Sequence, residues 1–184
     1  MNSATEQKIL DAALKVFAKR GYIGATTLDI AEKAGFSEKT LFRKFKTKEN
    51  LFNSVIIKNN EKIMEDFKDS VVIDKKFEDP RDFLESLIKN LWKFADANYE
   101  YIILMLNESN RIPETTSMDE INSSLSEYIE KNIADDKIDY TIFAITILSF
   151  IYSLIGDKHQ GRTFINYDEA IEKFINNMAL SIQQ

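Results

Sequence analysis

The stretch "GATTLDIAEKAGFSEKTLFRKFKTKENLF", residues Gly24–Phe52, decides how the chain folds and what it can bind. It holds two short runs with helical periodicity, Leu28–Ala34 and Glu38–Phe45, and Gly35 lies between them. Helices as short as these are unstable alone in water, so neighbouring helices must hold them. The stretch therefore predicts two short helices that pack on each other and on a helix that precedes them.

The turn between the two runs has the residues that a sharp corner needs. Gly35 stands where the first helix stops and a positive φ is required, a conformation that costs other residues free energy. Ser37 follows as an N-cap for the second helix, and Ala31 is small where the two helix axes cross. These features predict a helix-turn-helix with a shared apolar core of Ile30, Ala34, Phe36, Leu41 and Phe45.

The second of these helices exposes a cationic face. Since successive residues lie about 100° apart around a helix, an inward Leu41 and Phe45 place Lys39 and Arg43 on the opposite side. A helix of this size is about 12 Å long, and the DNA major groove is about 12 Å wide. Lysine and arginine there can contact guanine edges or phosphates. The alternative for Arg43 is that it only makes a peripheral contact with the DNA backbone.

Further polar and aromatic residues surround this face. Thr40 and Phe42 flank the two cations, and a threonine or an aromatic ring can touch a thymine methyl group. The alternative for Phe42 is to complete the core beside Phe45. Residues at helix starts offer hydroxyls and free backbone N–H groups to phosphate oxygens; they are Thr26, Thr27, Thr47 and Lys48. Two further lysines are expected to be solvated only, Lys46 and Lys58.

The charge distribution singles out the same end of the chain. The formal net charge is −6. Residues 1–60 hold 11 Lys and Arg against 6 Asp and Glu, a net charge of +5, and the remaining residues hold 13 against 24, a net charge of −11. A basic end on an acidic protein favours local binding of a polyanion. Charge fluctuation with solvated lysines is the alternative for this observation taken alone.

Composition also bears on the compartment. With 184 residues, of which 44% are hydrophobic, the chain resembles a soluble globular protein. It has no cysteine, which suits a reducing cytoplasm, and the polar start "MNSATEQKIL" predicts no signal peptide. The most apolar run, Ile142–Ile155, has 14 residues, whereas a membrane span needs about 20. We therefore expect a cytoplasmic protein without a membrane partner.

The residues that enzymes use are sparse. His159 is the one histidine of the sequence, and with no cysteine beside it neither a metal triad nor a Ser-His site is expected. Asp135 and Asp136 are adjacent in a turn, so they cannot face each other as a paired acid and base. We expect a surface position for His159 and no catalytic residue, metal or cofactor.

The organisation of the whole chain is helical. Only 5 glycines and 2 prolines interrupt it, and no alternating β-branched pattern indicates a strand. Ser3 and Glu6 have capping-box spacing at the first helix, and Gly21 is its expected stop. The sequence predicts an all-α fold of about nine helices: Thr5–Arg20, Leu28–Ala34, Glu38–Phe45, 48 to about 68, Arg81–Ala97, Tyr99 to about Arg111, Met118–Asn132, Tyr140–Gly156 and Asp168–Ile182.

Residues 8–52, "KILDAALKVFAKRGYIGATTLDIAEKAGFSEKTLFRKFKTKENLF", resemble the DNA-binding domain of the TetR family of transcriptional regulators. The resemblance rests on "RGY", the threonine pair, "DIAEKAGFS", "TLF" and "FKTKENLF", and covers about a quarter of the chain. It implies a homodimer. Each chain would have a helix-turn-helix head of three helices, residues 1–47, and a helical ligand-binding and dimerisation body, residues 48–184, with helix four as the linker.

The resemblance also implies a function. A repressor of this family binds a palindromic operator in double-stranded DNA and is released when a small molecule shifts helix four. The alternative is a DNA-binding regulator or architectural protein without an effector. Two residues depart from the family pattern: Phe42 where tyrosine is common, and Lys44 where histidine is common. The predicted DNA-contact set is Thr26, Thr27, Ser37, Lys39, Thr40, Phe42, Arg43, Lys44, Thr47 and Lys48.

The last two helices are candidates for the dimer interface. Tyr140–Gly156 is apolar nearly all round, and a helix without a polar side must be covered on several sides. Asp168–Ile182 is apolar on one face. Pairing both helices across a two-fold axis would give a four-helix interface, and burial within one chain is the alternative. The predicted interface is Phe150, Leu154, Ile171, Phe174, Ile175, Met178 and Ile182.

A ligand cavity between helices of the body would suit an apolar or amphipathic small molecule. Ordinary core packing is the alternative for each aromatic residue. Glu108 is a candidate to orient a polar or cationic ligand, with facing water or capping a neighbour as its alternatives. The predicted pocket is lined by Trp92, Tyr99, Met105, Glu108, Met118, Phe143 and Ile147.

Overall fold

The computed structural model describes residues 4–112, 117–133, 135–162 and 164–182. These residues form nine α-helices and a short 3-10 helix, Ser109–Arg111, and they contain no β-strand. The prediction of an all-α fold of about nine helices is confirmed, whereas the Ser3 of the predicted capping box lies outside the described residues. The helices are α1 Ala4–Gly24, α2 Thr27–Ala34, α3 Glu38–Phe45, α4 Lys48–Ser70, α5 Pro80–Ala97, α6 Tyr99–Asn107, α7 Ser117–Asn132, α8 Tyr140–His159 and α9 Tyr167–Ile182.

The described chain divides into two compact units. The first unit comprises residues 4–62 and 100–112, and the second comprises residues 63–99 and the described residues from 117 onward. Helix α4 begins in the first unit and ends in the second, and α6 lies in the first unit from Glu100 onward. The first unit is therefore discontinuous in sequence. The predicted division between residues 47 and 48 stays a prediction.

In the first unit α1 packs on α2, and α2 packs on α3. Ala31 has no exposed surface, as expected where two helices cross closely. Ala34 and Phe36, predicted for the same core, are only half-buried. Full burial of one large apolar side chain contributes about 1.5–3 kcal/mol, so the two short helices are held by their neighbours. The buried side chains include Ile9, Leu10, Ala13, Phe17, Ile30, Leu41 and Phe45.

The corner between α2 and α3 has the predicted geometry. Gly35 adopts φ 76° and ψ 30°, the left-handed conformation, and its N–H donates to the backbone oxygens of Ala31 and Glu32. The Phe36 N–H also donates to the Ala31 oxygen, at 2.9 Å. Ser37 caps α3 by accepting the Thr40 N–H at 3.3 Å. The helix-turn-helix follows from these local rules.

Three further described residues have positive φ, Gly21, Lys46 and Gly161, and the first two flank the helix-turn-helix. Gly21 breaks α1 with φ 67° and ψ 172°, which confirms it as the stop of the first long helical segment, and one more turn continues to Gly24. Lys46 follows α3 with φ 66°. A side chain in this region carries strain that glycine would not have.

In the second unit α5 packs against α8 and α9, and α7 packs against α8. Helix α5 begins with Pro80, and Asp79 caps it by accepting the Arg81 N–H at 2.8 Å. Proline suits the first turn of a helix because no intrahelical acceptor is available for an N–H there. The core of this unit includes Phe83, Leu84, Leu87, Leu91, Ile121, Leu125, Ile147 and Ile151.

Among the described residues α8 alone is long and apolar enough to cross a membrane by length and composition. Its 20 residues extend beyond the 14-residue run on which the sequence argument rested. A third of its most apolar stretch is buried, on the face that carries Phe143, Ile147, Ile151 and Ile155. The core helix of a soluble protein has the same length and composition, so this observation does not define a membrane span.

Part of the predicted dimer face of α8 and α9 is buried within one chain, and the interface itself stays a prediction. Four of its seven residues are less than 10% exposed within one chain: Leu154, Ile171, Ile175 and Met178. These side chains belong to the core of their own unit, because the apolar stripe of α9 packs against α5. Phe150 and Phe174 are half-buried and stack at 3.8 Å between ring centroids, and Ile182 is half-buried. Exposed apolar side chains lie elsewhere, at Ile142, Ile145 and Leu180.

Candidate nucleic-acid interface

Helix α3 presents two exposed cations to solvent. Leu41 is fully buried, whereas Lys39 and Arg43 are exposed and form no ion pair within the described part of the chain. Phe42 is 41% exposed, so it does not complete the core beside Phe45. Because the inward side chains fix the rotation of α3, the cations and the phenylalanine are available to a partner.

Hydroxyl groups hold the starts of the short helices. The Thr26 hydroxyl accepts the Asp29 N–H at 3.0 Å and donates to the Asp29 carboxylate at 2.7 Å. The Thr47 hydroxyl accepts the Asn50 N–H at 3.0 Å at the start of α4. The Ser37 hydroxyl lies 3.1 Å from that of Thr40. These side chains fix the helix starts, whose remaining N–H groups suit an anion.

Two predicted contact residues are engaged inside the first unit. The Thr27 hydroxyl donates to the Glu38 carboxylate at 2.5 Å and so ties α2 to the start of α3. Lys44 is half-buried, and its ammonium lies 3.6 Å from the Glu6 carboxylate of α1. The family resemblance placed Lys44 among the contact residues, and the sequence does not show that α1 partly covers it.

Lys48 points toward the end of α1. Its ammonium lies 4.5 Å from the centroid of the Tyr22 ring and 3.5 Å from the Ile23 carbonyl oxygen. Partial burial lowers the pKa of Lys48, the Arg111 guanidinium lowers it further, and the Glu108 carboxylate acts in the opposite direction. Lys48 is therefore part of an internal cluster. Lys58, expected to be only solvated, pairs with Asp11 at 2.7 Å.

Sequence reasoning missed this cluster, which we call the Tyr22 cluster: Tyr22, Lys48, Glu108 and Arg111. One Glu108 carboxylate oxygen accepts the Tyr22 N–H at 2.7 Å, and the other lies 3.3 Å from Arg111 Nε. The Arg111 guanidinium carbon lies 4.5 Å from the centroid of the Tyr22 ring. Glu108 thus caps a neighbour, one of the two alternatives stated for it above, and its ligand-orienting role stays a prediction. No local sequence signal reveals a bond between residues 86 positions apart.

The other predicted pocket residues fall in both units. Met105 is buried in the first unit. In the second unit Phe143 and Ile147 are buried. Trp92 stacks on Tyr167 at 6.0 Å between ring centroids and lines a surface groove of about 310 Å³ between α5 and α9. The predicted ligand pocket itself stays a prediction.

Met118 is the weak acceptor of a buried phenol that sequence reasoning also missed. The Tyr152 hydroxyl donates to Met118 Sδ at 3.9 Å, and burial raises the pKa of Tyr152. A thioether is a poor acceptor compared with an oxygen atom. A polar atom of a ligand would be a better partner for this hydroxyl.

His159 is exposed, as predicted, and belongs to a surface cluster of the second unit. Its ring stacks on the predicted pocket residue Tyr99 at 3.8 Å between centroids, and its Nε2 lies 2.8 Å from the Asp96 carboxylate. Lys158 lies 2.8 Å from the same carboxylate. Burial raises the pKa of Asp96, but the hydrogen bonds from Lys158 and His159 outweigh it, so the pKa is lower than usual. No trio of His, Asp or Glu in the described ranges is placed to hold a metal ion.

A helix-turn-helix with free cations on its second helix defines a DNA-binding protein of the helix-turn-helix class. The comparison with protein families gives the particular group. Residues 9–55 match the family described as bacterial regulatory proteins, tetR family. This match covers both short helices, most of α1, the first eight residues of α4, and the capping residues Thr26, Ser37 and Thr47.

Individual relatives agree with this match. The chain is 48% identical over 52 residues to the HTH-type transcriptional regulator YvkB of Bacillus subtilis, a segment that is 28% of either protein. It is 26% identical over 156 residues to IcaR of Staphylococcus aureus, a negative regulator of the biofilm operon icaADBC, with 80% of this chain and 81% of IcaR covered. The chain spans less than a third of the length of YvkB and most of that of IcaR.

Solved structures share the whole fold. A Clostridium perfringens protein that has been proposed to regulate fatty acid metabolism is 26% identical with a TM-score of 0.63, and the match covers 94% of this chain and 96% of that one. Two TetR-type regulators have TM-scores of 0.68 and 0.70 at 21% and 17% identity, which shows the fold alone. The family prediction is confirmed: the chain carries a TetR-family DNA-binding domain and has the fold of TetR-family regulators.

Proposed function

We propose that the chain is a transcriptional repressor that binds an approximately two-fold symmetric operator as a homodimer. The single observation that carries the proposal is the outward face of α3, where Lys39 and Arg43 are exposed and without ion pairs in the described chain. An unpaired cationic face on a helix about 12 Å long fits the major groove in size and sign. IcaR, a negative regulator of transcription, supports repression as the direction of control.

The contacts divide into two groups. Lys39 and Arg43 would read base edges or bind phosphates, and Thr40 and Phe42 would touch the same groove. The helix starts would bind phosphate oxygens through backbone N–H groups and hydroxyls, at Thr26, Thr27, Ser37 and Thr47. Lys44 and Lys48 would reach DNA only after leaving Glu6 and Tyr22 respectively, so we place them second.

Local charge would steer binding. Residues 1–60 carry a net charge of +5, whereas the rest of the chain carries −11. Each phosphate contact that releases a counterion makes affinity more salt-dependent, by about 0.9 in the slope of log K against log salt. We therefore expect strongly salt-dependent binding in the cytoplasm by a protein of acidic overall charge.

An apolar or amphipathic small molecule would release the repressor from DNA. The Clostridium perfringens neighbour has been proposed to regulate fatty acid metabolism, which makes fatty acids the first compounds to test. The Tyr152 hydroxyl, whose described acceptor is the Met118 thioether, would donate to the polar end of such a ligand. The effector would act by binding the form that does not hold DNA more tightly.

Selection of duplexes from a random pool tests the DNA-binding part of the proposal. The purified chain should enrich a site with two half-sites about one helical turn apart, and its affinity should fall steeply between low and high salt. A pool that shows no enrichment, or an affinity that does not change with salt, would contradict it.

A second experiment tests the effector. Saturated fatty acids of increasing chain length are added to the complex between the protein and its selected duplex, and release is followed by fluorescence anisotropy. Release by one length range, and its loss in Y152F, would support the effector. Binding of the duplex that no added compound changes would favour the alternative, a DNA-binding regulator or architectural protein without a small-molecule effector.

A further inference from the structure

We infer that Glu108 is a positioning residue for DNA binding: it fastens the end of α6 to the last turn of α1 and so fixes the helix-turn-helix within the first unit. This inference rests on the proposed function. The relevant contact is the bond from the Tyr22 N–H to the Glu108 carboxylate, 2.7 Å long and partly buried. A hydrogen bond to a charged group is among the stronger ones, especially when partly desolvated.

The backbone at Gly21 makes room for this carboxylate. A Cβ atom at this position would lie 2.9 Å from Glu108 Oε1, closer than such contacts allow. Gly21 also has φ 67° and ψ 172°, a conformation that is essentially restricted to glycine. A side chain at residue 21 would therefore be strained by its backbone conformation and would push the Glu108 carboxylate away from its present position beside the Tyr22 N–H.

The charges around the Tyr22 ring depend on the same carboxylate. Lys48 and Arg111 each place a cationic group 4.5 Å from the centroid of this ring. Glu108, whose side chain is 13% exposed, lies 3.3 Å from Arg111 Nε and offsets the mutual repulsion of the two cations. Without the carboxylate, two like charges would share one aromatic ring and the Tyr22 N–H would lose its acceptor.

The cluster is placed to restrain the head. Tyr22 lies in the last turn of α1, Lys48 begins α4, and Glu108 follows α6. Tyr22 also packs its ring edge-on against Phe52 of α4 at 5.1 Å between centroids. Glu108 thus adds a polar attachment to α6, the part of the first unit that is most distant in sequence.

Restraint of the head matters for a duplex with two half-sites. A dimer must present both recognition helices about 34 Å apart, one DNA turn, and a loosely held head loses part of this pre-organisation. A duplex with one half-site makes no such demand. Loss of Glu108 should therefore weaken binding to the full operator and leave binding to a half-site nearly unchanged.

The experiment compares wild type, E108Q, E108A and the control E61Q on two duplexes: the full site that wild type selects from a random pool, and its single half-site. Glu61 is an exposed residue of α4 in the same unit, so E61Q removes the same charge. We expect E108A to weaken full-site binding about ten-fold and half-site binding less than about two-fold. E108Q, which keeps an acceptor for Tyr22, should fall between E108A and wild type.

The outcomes separate the inference from the proposed function. If wild type selects no duplex, both fail. If wild type binds DNA but E108Q and E108A bind the full site as wild type does, or lose affinity equally for both duplexes, the positioning role is overturned and the proposed function stands. Circular dichroism melting of each variant checks folding. E108Q serves as the deciding variant if E108A unfolds.

Discussion

Helix α3 of the first unit and helix α8 of the second each bury one side against their own unit, but the sides that they expose to solvent differ in chemistry. Helix α3 has eight residues and buries Leu41 and Phe45. Helix α8 has 20 residues and buries seven apolar side chains. The open side of α3 is cationic, with Lys39 and Arg43, whereas the open side of α8 carries Ile142 and Ile145.

This difference separates two kinds of partner. An exposed cationic face is already stabilised by water, so only a partner with a high density of negative charge binds it strongly. Double-stranded DNA has that charge density. An exposed apolar face is stabilised when it is removed from water, which a second copy of the chain would do. We expect substitutions on the two helices to affect two separable properties, DNA affinity and association.

Charge reversal on α3 should have the largest effect. The double variant Lys39→Glu/Arg43→Glu should lose DNA affinity by at least about 100-fold, because each contact contributes about 1–3 kcal/mol and the new carboxylates repel phosphates. Fluorescence anisotropy on the selected duplex measures this loss. Lys68→Glu/Lys76→Glu has the same charge change at exposed residues of the second unit. Equal losses in both double variants would mean that α3 is not the contact helix.

A charge on the open side of α8 should have the next largest effect. Ile145 is 42% exposed, so Ile145→Asp leaves the core of its unit intact but places a carboxylate where a partner would bury an apolar side chain. We expect dimer dissociation to become at least about ten-fold easier, since burial of an unpaired charge is costly. Sedimentation velocity against concentration measures it, with Ser123→Asp on α7 as the control. A wild-type chain that is monomeric at micromolar concentration would refute the comparison.

Relief of strain at the end of α3 should have a smaller effect of opposite sign. Lys46 has φ 66°, so Lys46→Gly should raise the free energy of unfolding relative to Lys46→Ala by about 1 kcal/mol. The two variants lose the same charge, and their difference isolates the backbone conformation. Urea unfolding measures it. Identical midpoints would show that residue 46 is not strained.

The smallest effect is expected at Asp96, whose side chain is 37% exposed. Its folded-state pKa is lowered by Lys158 and His159, so its contribution to stability is present above the ordinary aspartate pKa of about 3.9 and is lost as pH falls through the lower folded pKa. Asp96→Asn should therefore cost less than about 1 kcal/mol at pH 7. The difference should shrink as pH falls below about 3.9 and vanish below the lower folded-state pKa. Thermal melts over this pH range provide the measurement, and a cost that grows on acidification would contradict it.

The sequence predicts the parts of the fold that depend on local chemistry. Gly35 and Ser37 define the corner before α3 because turn and cap preferences act over a few residues. The apolar stripe of α5 and the start of that helix after Asp79 follow from the same kind of rule. Helical periodicity also gave the inward position of Leu41 and Phe45 correctly.

The sequence does not predict which side chains come into contact through tertiary packing. Lys44 and Lys48 appear in the sequence as two more cations beside the recognition helix, yet their partners are Glu6 and Tyr22. The stripe of α9 is recognisable as apolar, but periodicity does not say whether α5 or a second chain covers it. Glu108 could have been found only by knowing that α6 returns to the first unit.

The discontinuous first unit has a consequence for protein engineering. The segment that matches the family, residues 9–55, ends long before Glu108. Transplanted alone onto a foreign scaffold, this segment would carry an orphaned Tyr22 amide and an unbalanced Lys48. A chimera that also includes the end of α6 and the residues after it, with Glu108 and Arg111, would keep the native contacts of Tyr22 and Lys48.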